Sequence, residues 1–283
     1  MYNMGGNMKR KIVVLWLLLT LAVVGEAQET AKMRAIEQST MANAKVKTMK
    51  LMSGDRVMLE KNFDKNGKPL RQVETHWDSR LEIDYNDGKM AAGKLTSREG
   101  KVIADYIYDY DDAGNLVEQT QTSPRGTLIG KWVWEYESGE LKKQSFRYID
   151  GSPPMGDGGP AYQGHSTSIE FTCKDGLIIE EKLDAWASTA DGGSYITVVN
   201  EYDSEGRRIA RTVSSRPQFE RADNPFKGMT TRVEFNYDEK GLLQGKKEAL
   251  PKSPAGNFDL QPVRSKTSEI AAGGNKYLYE FYP

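Results

Sequence analysis

The sequence predicts an all-β protein: an antiparallel meander of about eight consecutive β-hairpins forming an elongated, twisted or curved sheet, with a short helix near its N-terminus. Three observations predict it. A Tyr-Asp-x-x-Gly turn recurs at Tyr110–Gly114, Tyr202–Gly206 and Tyr237–Gly241, and internal self-similarity of this kind marks a repeat architecture. Large apolar residues alternate with polar ones on the way into these turns, as in Tyr106, Tyr108 and Tyr110, Trp132, Trp134 and Tyr136, or Val233, Phe235 and Tyr237. That is the period of a half-buried strand, not of a helix. Turn glycines recur along the chain at Gly67, Gly88, Gly114, Gly139, Gly176, Gly206 and Gly241.

At the N-terminus, Met8-Lys9-Arg10-Lys11 precedes thirteen largely apolar residues, Ile12 to Val24, and then Gly25-Glu26-Ala27. A charged stretch, a short apolar stretch and a small-x-small site read as a signal peptide over residues 1–27, cleaved after Ala27. The apolar run is shorter than the roughly 17–25 residues that span a bilayer, so no stable membrane insertion is expected after cleavage. No Cys follows it to carry a lipid. Residues 28–44 form a leader, and Met33, Ile36 and the Ala-rich spacing of Glu29 to Ala44 suit a short helix. Such a helix is expected to cap the exposed edge of the first hairpin, since open strand edges invite aggregation. Residues 45–283 are read as a single hairpin-repeat domain.

Within it the turns fall into two kinds. In the longer kind, Asp opens a type I turn and Gly takes the left-handed position of a three-residue bulged loop. The register then sets Tyr110 opposite Leu116 and Tyr237 opposite Leu243. In the shorter kind, Asp87-Gly88, Ser138-Gly139 and Asp175-Gly176 form two-residue loops, setting Tyr85 opposite Met90, Tyr136 opposite Leu141 and Cys173 opposite Ile178. Each such cross-strand pair contributes roughly 0.2–1 kcal/mol. The two other turns break this pattern, with Arg208 opposite Tyr202 and Pro69 opposite Phe63; an extra bulge or a shifted register would each account for them. Early repeats are bare hairpins, which need roughly 20–25 residues, and later ones carry insertions. An eighth hairpin is expected from Val263–Ile270 through Gly273-Gly274 to Tyr277, Tyr279 and Phe281.

Tyr-Asp-x-x-Gly followed by Arg or Asn and an aliphatic residue resembles the YD (RHS-type) repeat of bacterial secreted proteins, most closely at Tyr110–Leu116 and Tyr202–Ile209. The likeness extends loosely from Phe63 to Leu243. The shorter copies are similar to the Tyr-x-x-Gly-x-Leu repeats of MORN-variant proteins. Large YD proteins wind hairpins into a hollow shell and often end in a toxin released after Asp-Pro-x-Gly. That motif is absent here, so the resemblance implies the strand-turn-strand scaffold without the toxin.

Composition narrows the chemistry further. A formal net charge of −1 offers no surface for nucleic acid or anionic membrane. The single Cys173 excludes an internal disulfide, so an exported chain must rely on packing. The two histidines, His76 and His165, lie in different repeats and lack the clustered ligands of a zinc site. Asn62-x-Asp64-x-Asn66-Gly67 and Asp109-x-Asp111 have the opening letters of calcium loops, but Val73 and Thr120 stand where the closing bidentate carboxylate belongs. No cofactor, metal site or catalytic residue is expected. The aromatic stripes read as the hydrophobic face of the sheet, the other reading being a sugar-stacking platform.

A meander puts all seven turn glycines at one end and every inter-hairpin connection at the other. The connections begin short, at Trp77–Arg80 and Ser123–Gly126, and become long at Ile149–His165, Ser215–Met229 and Leu250–Pro262. Connections of that length are usually functional or disordered. Tyr162, His165, Trp186, Phe219 and Phe226 in or between them are the expected binding residues. The expected protein is a non-enzymatic exported scaffold, periplasmic, cell-surface or secreted, binding a protein or glycan partner. The alternative is a carbohydrate-binding or carbohydrate-active protein.

Overall fold

The computed structural model describes residues 30–148, 167–185, 194–217, 229–249 and 276–283; the expected signal peptide over residues 1–27 lies outside them. Helix α1 (Ala31–Asn43) starts at Thr30, whose hydroxyl accepts the Met33 N–H at 3.2 Å, the usual role of a Thr N-cap. It ends where Lys45 turns to φ 55, a left-handed C-terminal stop. Strand β1 (Val46–Ser53) follows.

Seven hairpins come next. β2 (Arg56–Phe63) and β3 (Pro69–Thr75) meet across Gly67, and β4 (Ser79–Asn86) and β5 (Lys89–Ser97) across Gly88. β6 (Val102–Tyr110) and β7 (Leu116–Thr122) turn at Gly114; β8 (Leu128–Glu137) and β9 (Glu140–Tyr148) turn at Gly139. β10 (Thr167–Lys174) and β11 (Leu177–Ala185) follow, then β12 (Ser194–Tyr202) with β13 (Arg208–Pro217) and β14 (Met229–Tyr237) with β15 (Leu243–Ala249). All described strands form one 16-stranded antiparallel sheet in sequence order, except that the last, β16 (Lys276–Phe281), pairs with β1.

Turn chemistry follows from the letters. Asp87, Ser138 and Asp175 sit at φ 51 to 53 beside Gly88, Gly139 and Gly176 at φ 75 to 81, the doubly left-handed type I′ geometry of two-residue hairpins. In the longer turns the Asp111 carboxylate accepts the Asn115 N–H at 2.7 Å, and the Gly114 N–H returns to the Asp111 carbonyl at 2.9 Å. Asp64, Asp203 and Asp238 repeat the pattern. All seven cross-strand pairs occur in the expected register, including Tyr202 with Arg208 and Phe63 with Pro69. Every one of them sits at a register shift, so the two departures are the same bulge as the rest. Arg208 replaces an aliphatic partner by laying its guanidinium 6.0 Å from the Tyr202 ring centre.

Those bulges explain why Tyr recurs. A bulge disturbs the ladder and leaves backbone groups without a cross-strand partner. The tyrosine of the next hairpin supplies the missing donor. Tyr110 Oη donates to the Met90 carbonyl at 3.1 Å, Tyr136 to Leu116 at 3.0 Å, Tyr202 to Ile178 at 2.9 Å and Tyr237 to Arg208 at 2.8 Å. Cys173, in the tyrosine position of its hairpin, reaches the Leu141 carbonyl through Sγ at 3.3 Å.

The series closes on itself. Tyr279 of β16 donates to the Leu243 carbonyl of β15 at 2.8 Å, and buried Leu242 packs with Val46, Met49, Phe63 and Tyr277. The sheet therefore curls until its two edge strands, β15 and β16, nearly meet, and β16 with β1 takes the eighth hairpin position. Of the expected eighth hairpin only the second strand is described. Tyr277, Tyr279 and Phe281 do form a strand, but its described partner is β1, while Val263–Ile270 lies outside the described residues. That strand, not α1, covers the open edge of β1, because it alone brings backbone groups to pair along it.

The inward face of the curl is the core. Trp134, Tyr108, Phe171, Ile178, Leu141 and Leu116 are buried together, with Tyr110, Trp132 and Tyr136 packed against them. The outward face carries ion pairs, between strands for Lys131–Glu118 at 2.5 Å and Arg232 with Glu201 at 3.1 Å, and along one strand for Lys182–Glu180 and Arg80–Glu82 at 2.9 Å.

Candidate functional site

The two rims of the curled sheet differ. At the tip rim α1 lies across the hairpin turns. The Thr30 hydroxyl donates to the Gly176 carbonyl, Lys32 Nζ to Asp175 O at 2.8 Å, and Gln38 Nε2 to Asn66 O at 3.4 Å. The glycines permit this close approach: a Cβ on Gly67 would lie 2.1 Å from the Gln38 carbonyl oxygen, and one on Gly206 would lie 2.6 Å from Ile36 Cδ1. Lys61, with its side chain only 2% exposed, points up from β2 and donates to both Glu37 oxygens at 2.9 and 3.1 Å. Beside that pair a cleft of about 50 Å³ is lined by Arg34, Lys61, Lys89, Glu37, Tyr85 and Tyr110, among others.

Burial governs titration here. It pushes the phenols of Tyr110, Tyr136 and Tyr237 up to about 12, Arg34 pulling back at the first two and Arg208 at the third. It also raises the Cys173 thiol, which disfavours its thiolate form. Asp111 is held below the usual carboxylate range by the Asn115 side chain and backbone N–H groups. The acidic turn letters are thus used up by the turn itself.

At the far rim, β1–β2, β5–β6 and β7–β8 are joined through Gly54, Gly100 and Gly126, all at positive φ. Ser97 and Ser123 open turns built like the Asp turns, with Gly100 N–H to Ser97 O at 2.9 Å and Gly126 N–H to Ser123 O at 2.8 Å. The Ser-x-x-Gly spacing was the available signal for them. Strands β9, β11, β13 and β15 all end at this rim, and β10, β12, β14 and β16 start from it, so the long connections leave and return here. Tyr162, His165, Trp186, Phe219 and Phe226 lie outside the described residues.

Trp77, between β3 and β4, is the most exposed large apolar side chain described, at 75%. Next to it His76 Nε2 lies 3.4 Å from Glu74 Oε2. Glu74 is buried and accepts from Gln72 Nε2 at 2.7 Å, and Gln72 in turn accepts from Tyr85 Oη at 3.0 Å. A polar chain therefore runs down the inside of β3 to the rim. Sequence reasoning treated Trp77 only as part of a short connection and His76 as a plain surface residue; exposure and through-space partners are invisible in the letters.

A second buried polar group joins Glu181, Asn200 and Arg211. Asn200 Nδ2 donates to Glu181 Oε1 at 2.9 Å, and Arg211 Nη2 to Glu181 Oε2 at 3.3 Å. Burial lowers the pKa of Arg211, with Glu181 opposing. Among the described residues, no group of three or more His, Cys, Asp or Glu could hold a metal ion, and no helix is long and apolar enough to cross a membrane.

No protein-family model matches the chain, and no curated protein does. Among solved structures, a porin-like protein from Bacteroides uniformis is similar with a TM-score of 0.37 and 9% identity, over 84% of this chain and 97% of that one. A TcdB2-TccC3-Cdc42 structure is similar with a TM-score of 0.29 and 12% identity over 72% of this chain, which spans only 13% of that chain. A structure of TarM follows with a TM-score of 0.21 and 11% identity over 50% of this chain and 30% of that one. Overlaps this loose carry no argument about function.

Proposed function

We propose that this chain is an exported, non-enzymatic β-hairpin scaffold that binds a macromolecular partner at its far rim. One observation carries the reading: the strand order sends every long connection to that rim, while the helix occupies the other. The inward aromatics are packed in the core, and the hydroxyls of Tyr110, Tyr136, Tyr202 and Tyr237 already donate to bulge carbonyls, which supports a binding surface elsewhere. Adaptable surface is left at the far rim, where Trp77 is exposed beside His76. The signal-like N-terminus supports export, and the turn letters support a YD-like scaffold.

The outer wall supports a water-facing curl over a membrane-spanning barrel. Arg or Lys on a lipid-facing barrel wall costs about 2–4 kcal/mol each at the bilayer midplane, and this wall carries Lys131, Lys182, Arg80 and Arg232 in ion pairs. An exposed tryptophan favours a glycan as one class of partner, since an aromatic face is a usual anchor in binding sites.

The test uses the mature chain on a glycan array and against immobilised envelope fractions. Alanine at Trp77, or jointly at Tyr162, Trp186 and Phe226, is expected to abolish capture with the melting temperature unchanged. Capture that survives these changes but is lost on altering Asp111 or Asp203 places the binding end at the tips and overturns the reading. Hydrolytic turnover lost with one carboxylate overturns the non-enzymatic part.

A further inference from the structure

We infer that β15 and β16 are the two halves of a latch, which sets Gly245 opposite Lys276 and closes the curled sheet into a barrel. Among the described residues β15 has a ladder only with β14, and β16 only with β1, so each keeps one free edge. The inference concerns the seam between those edges and stands independently of the far-rim reading.

Register carries it. Wherever one hairpin bonds back to a backbone carbonyl of the one before, the ladder between them begins two residues after the acceptor and three before the donor. Tyr110 bonds to Met90, and Ala92 then faces Ile107. Tyr237 bonds to Arg208, and Ala210 then faces Glu234. The junctions made by Tyr136, Cys173 and Tyr202 keep the same offsets. Tyr85 supplies the contrast: its hydroxyl reaches the Gln72 side chain instead, and its ladder begins differently, with Arg71 facing Asp84. The back-bond therefore goes with the register.

Tyr279 makes that bond to Leu243 at 2.8 Å. The offsets place Gly245 opposite Lys276, the first residue of β16. The faces agree. Tyr277 is buried, which turns Lys276 outward, and Gly245 lies across the β14 ladder from exposed Asn236. There is also room, since a Cβ on Gly245 would meet nothing within 4 Å. Closure satisfies both free edges, which otherwise accept a foreign strand. Because the tyrosine bond pins the tip end, the seam zips from the tips towards the far rim.

The experiment uses the mature chain carrying Cys173→Ser, with Gly245→Cys and Lys276→Cys added. Facing residues of an antiparallel pair stand about 4.5–5.5 Å apart, within disulfide range, whereas the diagonal pair Gly245→Cys with Leu278→Cys sits about 7–8 Å apart, beyond it. The facing pair is expected to form an internal disulfide at least tenfold faster than the diagonal one, read by mass spectrometry. Tyr279→Phe should slow it about fivefold, the weight of one net hydrogen bond, while Tyr237→Phe, one junction away, should not. Hydrogen exchange of the unaltered chain tests the same point without cysteines: consecutive β15 amides should be protected as in β13, because a strand paired on one side only leaves alternate amides open. Equal oxidation of the two cysteine pairs, disulfides between chains instead of within one, or alternate β15 amides exchanging freely overturns the proposal.

Discussion

Replacing Tyr136 by Phe isolates one rung of the tyrosine series. The ring keeps its place against the core and opposite Leu141, so no cavity term enters. What is lost is a single donor, the hydroxyl 3.0 Å from the Leu116 carbonyl. Leu116 is only 2% exposed, so water cannot easily take the vacant acceptor. The cost is then that of a buried group left unsatisfied, about 1–3 kcal/mol, and not the smaller net value of an average hydrogen bond. With a urea m-value of about 2.5 kcal/mol per M, the unfolding midpoint should fall by roughly 0.4–1.2 M with m unchanged. Tyr202→Phe should cost less, about 0.5–1.5 kcal/mol, because the Ile178 carbonyl keeps the Asn200 Nδ2 donor at 3.1 Å, and because the two hydroxyls serve different carbonyls the double variant should be additive to within about 0.5 kcal/mol. Equilibrium urea unfolding followed by tryptophan fluorescence measures all three. A midpoint within about 0.1 M of wild type refutes the idea that the motif tyrosine is retained for its hydroxyl and leaves packing as its only role.

Other outcomes follow from the same geometry. Gly67→Ala drives a Cβ against the Gln38 and Ala42 backbone and should release α1 to limited proteolysis, whereas Gly139→Ala meets nothing within 4 Å and should cost only the positive-φ strain of about 1 kcal/mol. Lys61→Met strands Glu37 and should cost about 3–5 kcal/mol, most of it recovered by adding Glu37→Leu; a single variant as stable as wild type in calorimetry refutes the pair's role. Tyr110, Tyr136 and Tyr237 have folded pKa values pushed up to about 12 against about 10 unfolded. The unfolded chain therefore loses protons first, and stability should fall as pH rises from about 10 towards 12; absorbance at 295 nm should show these phenols titrating together with unfolding. N-terminal sequencing of the exported protein should begin at Gln28, and a retained Met1 would refute cleavage after Ala27.

Much of the fold is legible in the letters because its rules are local. A two-residue period shows which face of each strand turns inward, and Asp-x-x-Gly or Asp-Gly fixes turn length, hence the register of both arms. That is why Tyr202 faces Arg208 and Phe63 faces Pro69 even where the apolar pattern fails. The far-rim turns at Gly100 and Gly126 obey the same rule with Ser in place of Asp. The site is less legible. His76 reads as an ordinary surface residue until Glu74 is seen 3.4 Å away, and Trp77 reads as a turn residue until its exposure is known.

The sequence by itself determined the strands, turns and pairings between neighbours, because each depends on residues a few positions apart. Tertiary structure alone decided that β16 turns back to β1, that Tyr279 reaches Leu243, and that α1 lies over the tips with Glu37 on Lys61. These contacts join residues far apart in the chain, and no local period encodes them. They depend on how far the sheet curls, a sum of small twists and bulges over all the strands, and only the folded curl brings β16 within bonding distance of β1 and β15.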